Sequence, residues 1–298
     1  MNFMAKERLL TFEEITRLAK IFTSMGVKKI RFTGGEPTVR ADFPKLVQMV
    51  RDATKLKNLA ITTNGARLEE LAAPLKESGI RKVNISLDTL KEEKFNTITQ
   101  RKAFKKVMAG IDTAIEVGFD EIKLNTVAIR TFNLDEVIDL VEFGIGKGVI
   151  VRFIELMPFY NNQWERENVV PMDEILSILK TKYDLTPVQR DSASQTSLEF
   201  TIDGDPRKRV GFIASVTKSF CQWCDRVRIT ADGKIRPCLH SAYEIDLIRL
   251  LRDKQKNDED VASATRNAVW NKSEGHEDFL SDGFVLPIKD RPMMRIGG

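Results

Sequence analysis

Residues 28–37 read KKIRFTGGEP, a short strand-like run at 28–33 that ends in two glycines, a glutamate and a proline. Similar short runs follow at 58–62, 82–87, 122–129 and 149–155. Helical patterns lie between them at 43–54, 68–78, 104–117 and 134–147. Because strands and helices alternate with short loops, we expect parallel strands joined by right-handed crossovers.

The segment before the first strand is an amphipathic helix at 11–24, where Thr11 and Glu14 have the spacing of a capping box. A series of βα units normally begins with a strand, so a chain that begins with this helix lacks the strand that should precede it. The pattern therefore fits either a doubly wound sheet or part of a (β/α) barrel. Both folds bind ligands beyond the C-terminal ends of their strands.

The regular alternation of strands and helices changes after Pro158. A helix is predicted at 172–183, and two hairpins are predicted at the turns Asp203-Gly204 and Asp232-Gly233. We expect the cysteines to lie on the second hairpin. The GIGKG stretch at 144–148 is glycine-rich but follows a helix and precedes a strand, so it indicates a helix end rather than a phosphate loop.

Composition narrows the class of protein. The chain has 298 residues, of which 42% are hydrophobic and 30% charged, and its net charge is +4. These values exclude a disordered, collagen-like or disulfide-stapled chain, and the charge is too small to indicate nucleic-acid binding. No apolar run is long enough for a membrane span, and the N-terminus lacks the features of a signal peptide. We therefore expect a reducing, aqueous compartment.

Polar residues collect where the predicted strands end. Glu36, which follows two glycines, is a candidate to hold an amine, and the glycines let a ligand approach the backbone. Arg31, Lys123 and Arg152 are candidates to hold an anion such as a polyphosphate. Each group alone fits an ordinary turn or cap, but together they fall on the ligand-binding edge of a parallel sheet.

The chain has three cysteines, and their spacing is typical of metal ligands: Cys221, Cys224 and Cys238. They suit an iron–sulfur cluster with one iron left open, or a zinc site completed by His240. The residues alone do not separate these two alternatives. Arg226 and Arg228, two positions apart, share one face of a strand and make a candidate anion clamp.

Four stretches resemble the radical S-adenosylmethionine (SAM) enzymes: GGEP at 34–37, TTNG at 62–65, NISLD at 84–88 and RFIE at 152–155. Within this superfamily, the three cysteines and the pair Arg226 and Arg228 most resemble the GTP 3',8-cyclases of molybdenum-cofactor synthesis. The chain also ends in Gly297-Gly298, similar to the tail of that family. The resemblance extends from Leu9 to the end of the chain.

This resemblance implies an incomplete (β/α) barrel whose core is residues 1–158. Residues 159–298 would complete the barrel and form a C-terminal cluster and GTP-binding domain. One [4Fe–4S] cluster would cleave SAM to a 5'-deoxyadenosyl radical, and a second would anchor the purine of GTP. The radical would abstract a hydrogen at C3' of the ribose, and C3' would then bond to C8 of guanine.

The resemblance also implies roles for single residues. The SAM contacts would be Gly35, Ser86 and Met157, and the GTP contacts Arg31, Thr62, Lys123, Arg226 and Arg228. The second cluster would be ligated by Cys221, Cys224 and Cys238, and the tail Gly297-Gly298 would reach into the site. The family implies a homodimer, a cytoplasmic location (the mitochondrial matrix in a eukaryote), and cyclic pyranopterin monophosphate synthase as the downstream enzyme.

One family feature is absent from the sequence. The Cys-x3-Cys-x2-Cys motif that ligates the SAM cluster, with a nearby GTP-binding arginine, belongs upstream of Leu9. We therefore expect a shortened chain that does not make the radical alone. The alternatives are a non-catalytic relative that binds GTP or a partner protein, and a zinc-stabilised βα protein.

Overall fold

The computed structural model describes residues 4–159, 162, 164–190, 192, 194–275, 280, 281, 291 and 293. The helices are α1 Phe12–Ser24, α2 Phe43–Thr54, α3 Leu68–Ser78, α4 Glu92–Thr99, α5 Phe104–Val117, α6 Val137–Lys147, α7 Met172–Lys180, α8 Leu247–Arg252 and α9 Asp258–Trp270. The strands are β1 Ile30–Phe32, β2 Leu59–Thr63, β3 Ile80–Ser86, β4 Glu121–Ala128, β5 Ile150–Glu155, β6 Leu185–Pro187, β7 Leu198–Ile202, β8 Asp205–Ile213, β9 Arg228–Ile229, β10 Lys234–Arg236 and β11 Ile245–Asp246.

The large sheet has the strand order β1-β2-β3-β4-β5-β8-β7-β6. The first five strands are parallel and follow one another in chain order, and β8 joins β5 in parallel. A doubly wound sheet reverses its strand order at a switch point, so this order favours the barrel alternative. Within the described residues β1 and β6 are the two edges, and the sheet is open. The predicted incomplete (β/α) barrel is confirmed in this open form.

One face of the large sheet is apolar and packs against the helices. Its buried side chains alternate along the strands and contact α2, α3, α5 and α6; they include Ile61, Val83, Leu124, Val151 and Phe212. Since side chains on a strand alternate between faces, the intervening positions point to the opposite side of the sheet. That side carries the polar residues described below.

Local signals explain most helix ends. Thr11 and Glu14 form the predicted capping box at the start of α1. Gly148 ends α6 with φ +68°, a left-handed conformation that glycine adopts without strain, so the GIGKG stretch is a helix end as predicted. Helix α4 was not predicted from the sequence, because Phe95 is its one buried residue and no apolar stripe marks it.

A second, smaller sheet follows in the order β11-β10-β9. It packs with α1, α8 and α9 around a separate core that includes Ile235, Leu247 and Val261. Both predicted hairpins are present: β7 and β8 flank Asp203-Gly204, and β9 and β10 flank Asp232-Gly233.

The prediction that the cysteines lie on the second hairpin is wrong. Cys221 and Cys224 belong to a short 3-10 turn and the segment before β9, and Cys238 lies just beyond β10. The reason is that β9 and β10 are only two and three residues long, too short to carry the whole cysteine pattern. None of the helices in the described part of the chain is long and apolar enough to span a bilayer.

Candidate functional site

The register of the large sheet gathers polar residues on one face. Thr62 lies beside Asn84, and Asn84 lies beside Lys123. One step further along the strands, Asn125 lies beside Arg152. We call this surface the polar face and define it by Arg31, Thr62, Asn84, Lys123, Asn125 and Arg152.

Side-chain amides hold two arginines on the polar face. Asn125 Oδ1 accepts hydrogen bonds from Arg152 Nε at 3.0 Å and Nη2 at 2.6 Å. With its amide oxygen turned toward the guanidinium groups, Asn84 accepts from Arg152 Nη2 at 2.7 Å and Arg31 Nη1 at 3.0 Å. The opposite amide orientation would set donors against donors. Arg31 Nη1 also lies 3.5 Å from Thr62 Oγ1.

The crowding of these cations is visible in their proton affinities. Burial, and then the nearby charges of Arg31 and Arg226, lower the pKa of Arg152 to about 10. Burial, followed by the charge of Arg226, also lowers the pKa of Arg31, which Glu121 partly offsets. Arg226 therefore comes close enough to act on the polar face, although it lies about 70 residues beyond β5 in the chain.

Arg226 and Arg228 both lie near the cysteines, but the prediction that they share one face of a strand is wrong: β9 begins at Arg228, and Arg226 lies in the irregular segment before it. The Nε atoms of both are buried and have no hydrogen-bond partner among the described residues. Burial, and then the charge of Arg226, lower the pKa of Arg228 to about 10, while Cys224 and Cys238 raise it. The Arg226 guanidinium also lies over the Phe220 ring, 5.2 Å from its centroid. These buried donors suit an anion.

Cys224 has contacts that favour its thiolate form. Burial, the largest effect, raises its pKa, but the Arg226 backbone N–H, the Arg226 side chain and the Lys272 charge together lower it. Lys272 Nζ lies 3.4 Å from Cys224 Sγ and donates to the Cys224 and Arg226 carbonyl oxygens at 2.6 and 3.1 Å. Sequence reasoning missed Lys272, which lies 48 residues from Cys224 and matches no motif.

The cysteines have the donor chemistry of an iron–sulfur or zinc site, since all three are free thiols. In the part of the chain that the structure describes, no three histidine, cysteine or acidic side chains converge into a ready-made metal site. The His240 ring, named for the zinc alternative, stacks on Phe159 with 5.2 Å between centroids. The ligand assignment of the three cysteines stays a prediction.

Lys123 is engaged in ion pairs on the polar face. Its Nζ lies 2.6 Å from Glu199 Oε1 and 3.3 Å from Glu121 Oε2. Glu199 is on β7, three strands away from β4 in the sheet, a separation of about 14 Å along a flat sheet. The two side chains meet because the sheet curves around the polar face. The sequence did not reveal Glu199, whose partner is 76 residues away.

The glutamate of the GGEP stretch, Glu36, is held by donors from its own loop and from the end of β2. The Glu36 carboxylate accepts hydrogen bonds from Thr38 N and Oγ1, Thr63 Oγ1 and Asn64 N, at 2.6–3.0 Å. It thereby ties the loop after β1 to the end of β2. Three of these donors lie on Oε1, while Oε2 accepts from Asn64 N, so the expectation that Glu36 holds an amine stays a prediction.

The residues named as SAM contacts lie at the C-terminal ends of three strands. Gly35 follows β1 and is exposed, Ser86 ends β3 and is exposed, and Met157 lies just after β5. Gly34 has φ +139° and open space where a side chain would be, so this loop leaves room at the strand ends. Gly297 and Gly298 lie outside the described residues.

Two family descriptions match the chain. "Radical SAM superfamily" matches residues 2–144, and "Molybdenum Cofactor Synthesis C" matches residues 149–278. The boundary between them falls just before β5. The polar face therefore combines strands from both matched regions.

Named relatives are similar over most of this chain. The chain is 42% identical to "GTP 3',8-cyclase, mitochondrial" of Arabidopsis thaliana over 98% of this chain and 74% of the relative. It is 41% identical to "GTP 3',8-cyclase" of Streptomyces coelicolor, covering 100% of this chain and 87% of the relative. It is 42% identical to "Molybdenum cofactor biosynthesis protein 1" of Drosophila melanogaster over 92% of this chain, but spans only 48% of that protein.

A solved structure shows the same fold. The crystal structure of Streptococcus suis SuiB bound to S-adenosylmethionine aligns with a TM-score of 0.54 over 82% of this chain and 59% of the other. The two sequences are 15% identical, so this similarity concerns the fold alone.

Proposed function

Because the chain belongs to the GTP 3',8-cyclase family of radical SAM enzymes of molybdenum-cofactor synthesis, we propose that its polar face binds GTP. The whole protein would catalyse the SAM-dependent rearrangement of GTP to (8S)-3',8-cyclo-7,8-dihydroguanosine 5'-triphosphate, the first step of that synthesis.

The observation that carries this proposal is that Arg226, which neighbours Arg228, lies close enough to act on the two arginines of the polar face. Arg31 and Arg152 come from the sheet, and Arg226 and Arg228 come from the segment that holds the cysteines. Their charges act on one another, and the buried Nε atoms of Arg226 and Arg228 have no partner among the described residues. A triphosphate would supply acceptors for these donors and relieve the mutual repulsion.

The proposed contacts follow the same geometry. Arg31, Thr62, Lys123, Arg226 and Arg228 would bind GTP, with Lys123 exchanging part of its pairing with Glu199 for the ligand. Gly35, Ser86 and Met157, which line the strand ends, would contact SAM. Cleavage of SAM to a 5'-deoxyadenosyl radical is the chemistry that the SAM cluster supplies when bound.

The cysteine-bearing segment would hold the second [4Fe–4S] cluster through Cys221, Cys224 and Cys238. Its placement next to Arg226 and Arg228 supports this, because a cluster there would lie beside the bound nucleotide. In this proposal residues 1–158 form the barrel core, and residues 159–298 complete it and add the cluster and GTP-binding domain. Lys272 would keep Cys224 and Arg226 in fixed relation.

The cellular context is proposed from the family. The protein would act in the cytoplasm, or in the mitochondrial matrix of a eukaryote, as a homodimer. Its product would pass to cyclic pyranopterin monophosphate synthase.

The test is GTP binding by the chain, measured by isothermal titration calorimetry under anaerobic conditions. We expect the double variant Arg226→Ala/Arg228→Ala to weaken GTP binding by about a hundredfold or more, since each charge-assisted hydrogen bond contributes about 1.5–3 kcal/mol. Arg207→Ala is the matched control, because that arginine is exposed and its ion pair, with Asp205, lies on the surface. Unchanged GTP affinity in the double variant would contradict the proposal.

A further inference from the structure

Asn84 occupies the centre of the polar face. Its side chain is 5% exposed, and its strand neighbours in register are Thr62 and Lys123, two of the proposed GTP contacts. Its amide oxygen accepts from both Arg31 and Arg152, at 3.0 and 2.7 Å. One neutral group thus fixes two guanidinium groups side by side.

The chemical type of this acceptor matters. A carboxylate between two arginines would hold them equally well by hydrogen bonds, but it would also cancel one of their charges. An amide oxygen orients the same N–H groups and leaves both positive charges in place. Asn125 does the same for Arg152: its Oδ1 accepts hydrogen bonds from Arg152 Nε and Nη2.

The lysine of the polar face shows the contrast. Lys123 is paired with the carboxylates of Glu199 and Glu121, so its charge is balanced within the protein. The two sheet arginines instead donate to amides. Burial is the largest cause that lowers the pKa of each; Glu121 offsets part of this for both arginines, and Glu199 does so for Arg152. The polar face therefore contains one cation in direct ion pairs, Lys123, and two arginines that form no ion pair among the described residues and are oriented by neutral amides.

The space around Arg152 fits this arrangement. Its neighbour on β8 is Gly211, and a Cβ atom at that position would lie 3.3 Å from Arg152 Cγ and 2.8 Å from Ser197 Oγ. The missing side chain leaves room for Arg152 to extend over the sheet toward Asn84 and Asn125.

We propose that Asn84 is a positioning residue that orients Arg31 and Arg152 for a polyphosphate while preserving their charges, with Asn125 as its partner on Arg152. This inference rests on the proposed function and adds to it two residues that do the orienting. It makes the side-chain amide, rather than hydrogen bonding in general, the required feature at position 84.

The test is Asn84→Asp, which keeps the acceptor oxygen and the side-chain size but adds one negative charge. We expect it to weaken GTP binding about tenfold or more, with the loss shrinking at high salt. Asn58→Asp is the control: this exposed asparagine precedes β2 at the opposite end of the strand, and the same charge change there should leave the affinity within twofold. Thermal melting of each variant reports whether it folds.

Asn125→Asp provides an independent second variant with the same expected loss. A purely structural role predicts unchanged GTP affinity, because a carboxylate would hold the arginines at least as tightly as the amide does. Wild-type affinity in both Asp variants would therefore overturn the inference. So would failure of both variants to fold, since the amides would then be required for the structure itself.

Inorganic tripolyphosphate separates this inference from the proposed function. If the wild-type chain binds tripolyphosphate but not GTP, and Asn84→Asp weakens the former, the inference holds and the proposed function fails. If Arg226→Ala/Arg228→Ala loses GTP binding but both Asp variants keep it, the proposed function stands and the inference fails. A wild-type chain that binds neither anion would overturn both.

Discussion

Glu155 joins the end of β5 to the segment that leads to the first two cysteines. The side chain is 3% exposed. One carboxylate oxygen accepts from Met172 N at 2.9 Å and Thr217 Oγ1 at 2.5 Å. The other accepts from Val216 N and Thr217 N, both at 2.8 Å. One buried carboxylate therefore satisfies three backbone N–H groups and one hydroxyl, and Glu155→Ala removes all four acceptor contacts at once.

The cost of this change is set by the three backbone donors, because the hydroxyl is free to rotate toward another acceptor. A buried donor left without a partner costs about 1–3 kcal/mol, so three give an upper range of about 3–9 kcal/mol. Water entering the space left by the side chain would satisfy part of this loss. We therefore expect Glu155→Ala to lower the free energy of unfolding by about 3–5 kcal/mol. Glu155→Gln, which keeps one acceptor oxygen, should lose about half as much.

Urea denaturation followed by circular dichroism measures these differences. Glu69→Ala is the matched control, an exposed glutamate in the first turn of α3, and we expect it to stay within about 1 kcal/mol of the wild type. The reasoning is refuted if Glu155→Ala also stays within about 1 kcal/mol, because the three N–H groups would then have other partners or little need of them.

Two further predictions concern the sheet. Gly211→Ala sets a Cβ atom against Ser197 Oγ and Arg152 Cγ, so we expect a loss of about 1–3 kcal/mol in the free energy of unfolding and several-fold weaker GTP binding; unchanged binding would argue against the close approach. Burial raises the pKa of Asp88 to about 6, although the hydrogen bond from Val127 N acts to lower it. The ionised carboxylate therefore destabilises the fold above pH 6, and this penalty disappears as the pH falls toward 4 and the folded protein binds the proton. Asp88→Asn should therefore unfold less readily than the wild type at pH 8, by about 1–3 kcal/mol, and the advantage should vanish near pH 4 in denaturation series; an advantage independent of pH would contradict this.

Much of the fold could be predicted because its signals are local. The helices at 43–54, 68–78 and 104–117 have the predicted bounds, since each has an apolar stripe that packs on the sheet. The strand predictions differ from the structure by at most two residues at an end. The periodic pattern did not predict that β8, β7 and β6 extend the sheet beyond β5. The pairing of β8 with β5 joins segments far apart in the chain, and a local pattern carries no information about such a contact.

The candidate site was predicted in part for the same reason. Residue alternation along each strand places the predicted cations on one face, and the structure brings Arg31 and Arg152 together there. The pairing of Lys123 with Glu199 depends on sheet curvature and on the position of β7, which no local signal reports. The contact of Lys272 with Cys224 depends on how α9 ends beside the cysteine segment.

The most direct test of the account is a crystal structure of this chain with GTP. The account predicts the triphosphate within hydrogen-bond distance of Arg226 and Arg228, facing the polar face, with Arg31 and Arg152 still held by Asn84. A nucleotide bound elsewhere on the chain, with no phosphate within hydrogen-bond distance of Arg226 or Arg228, would contradict it.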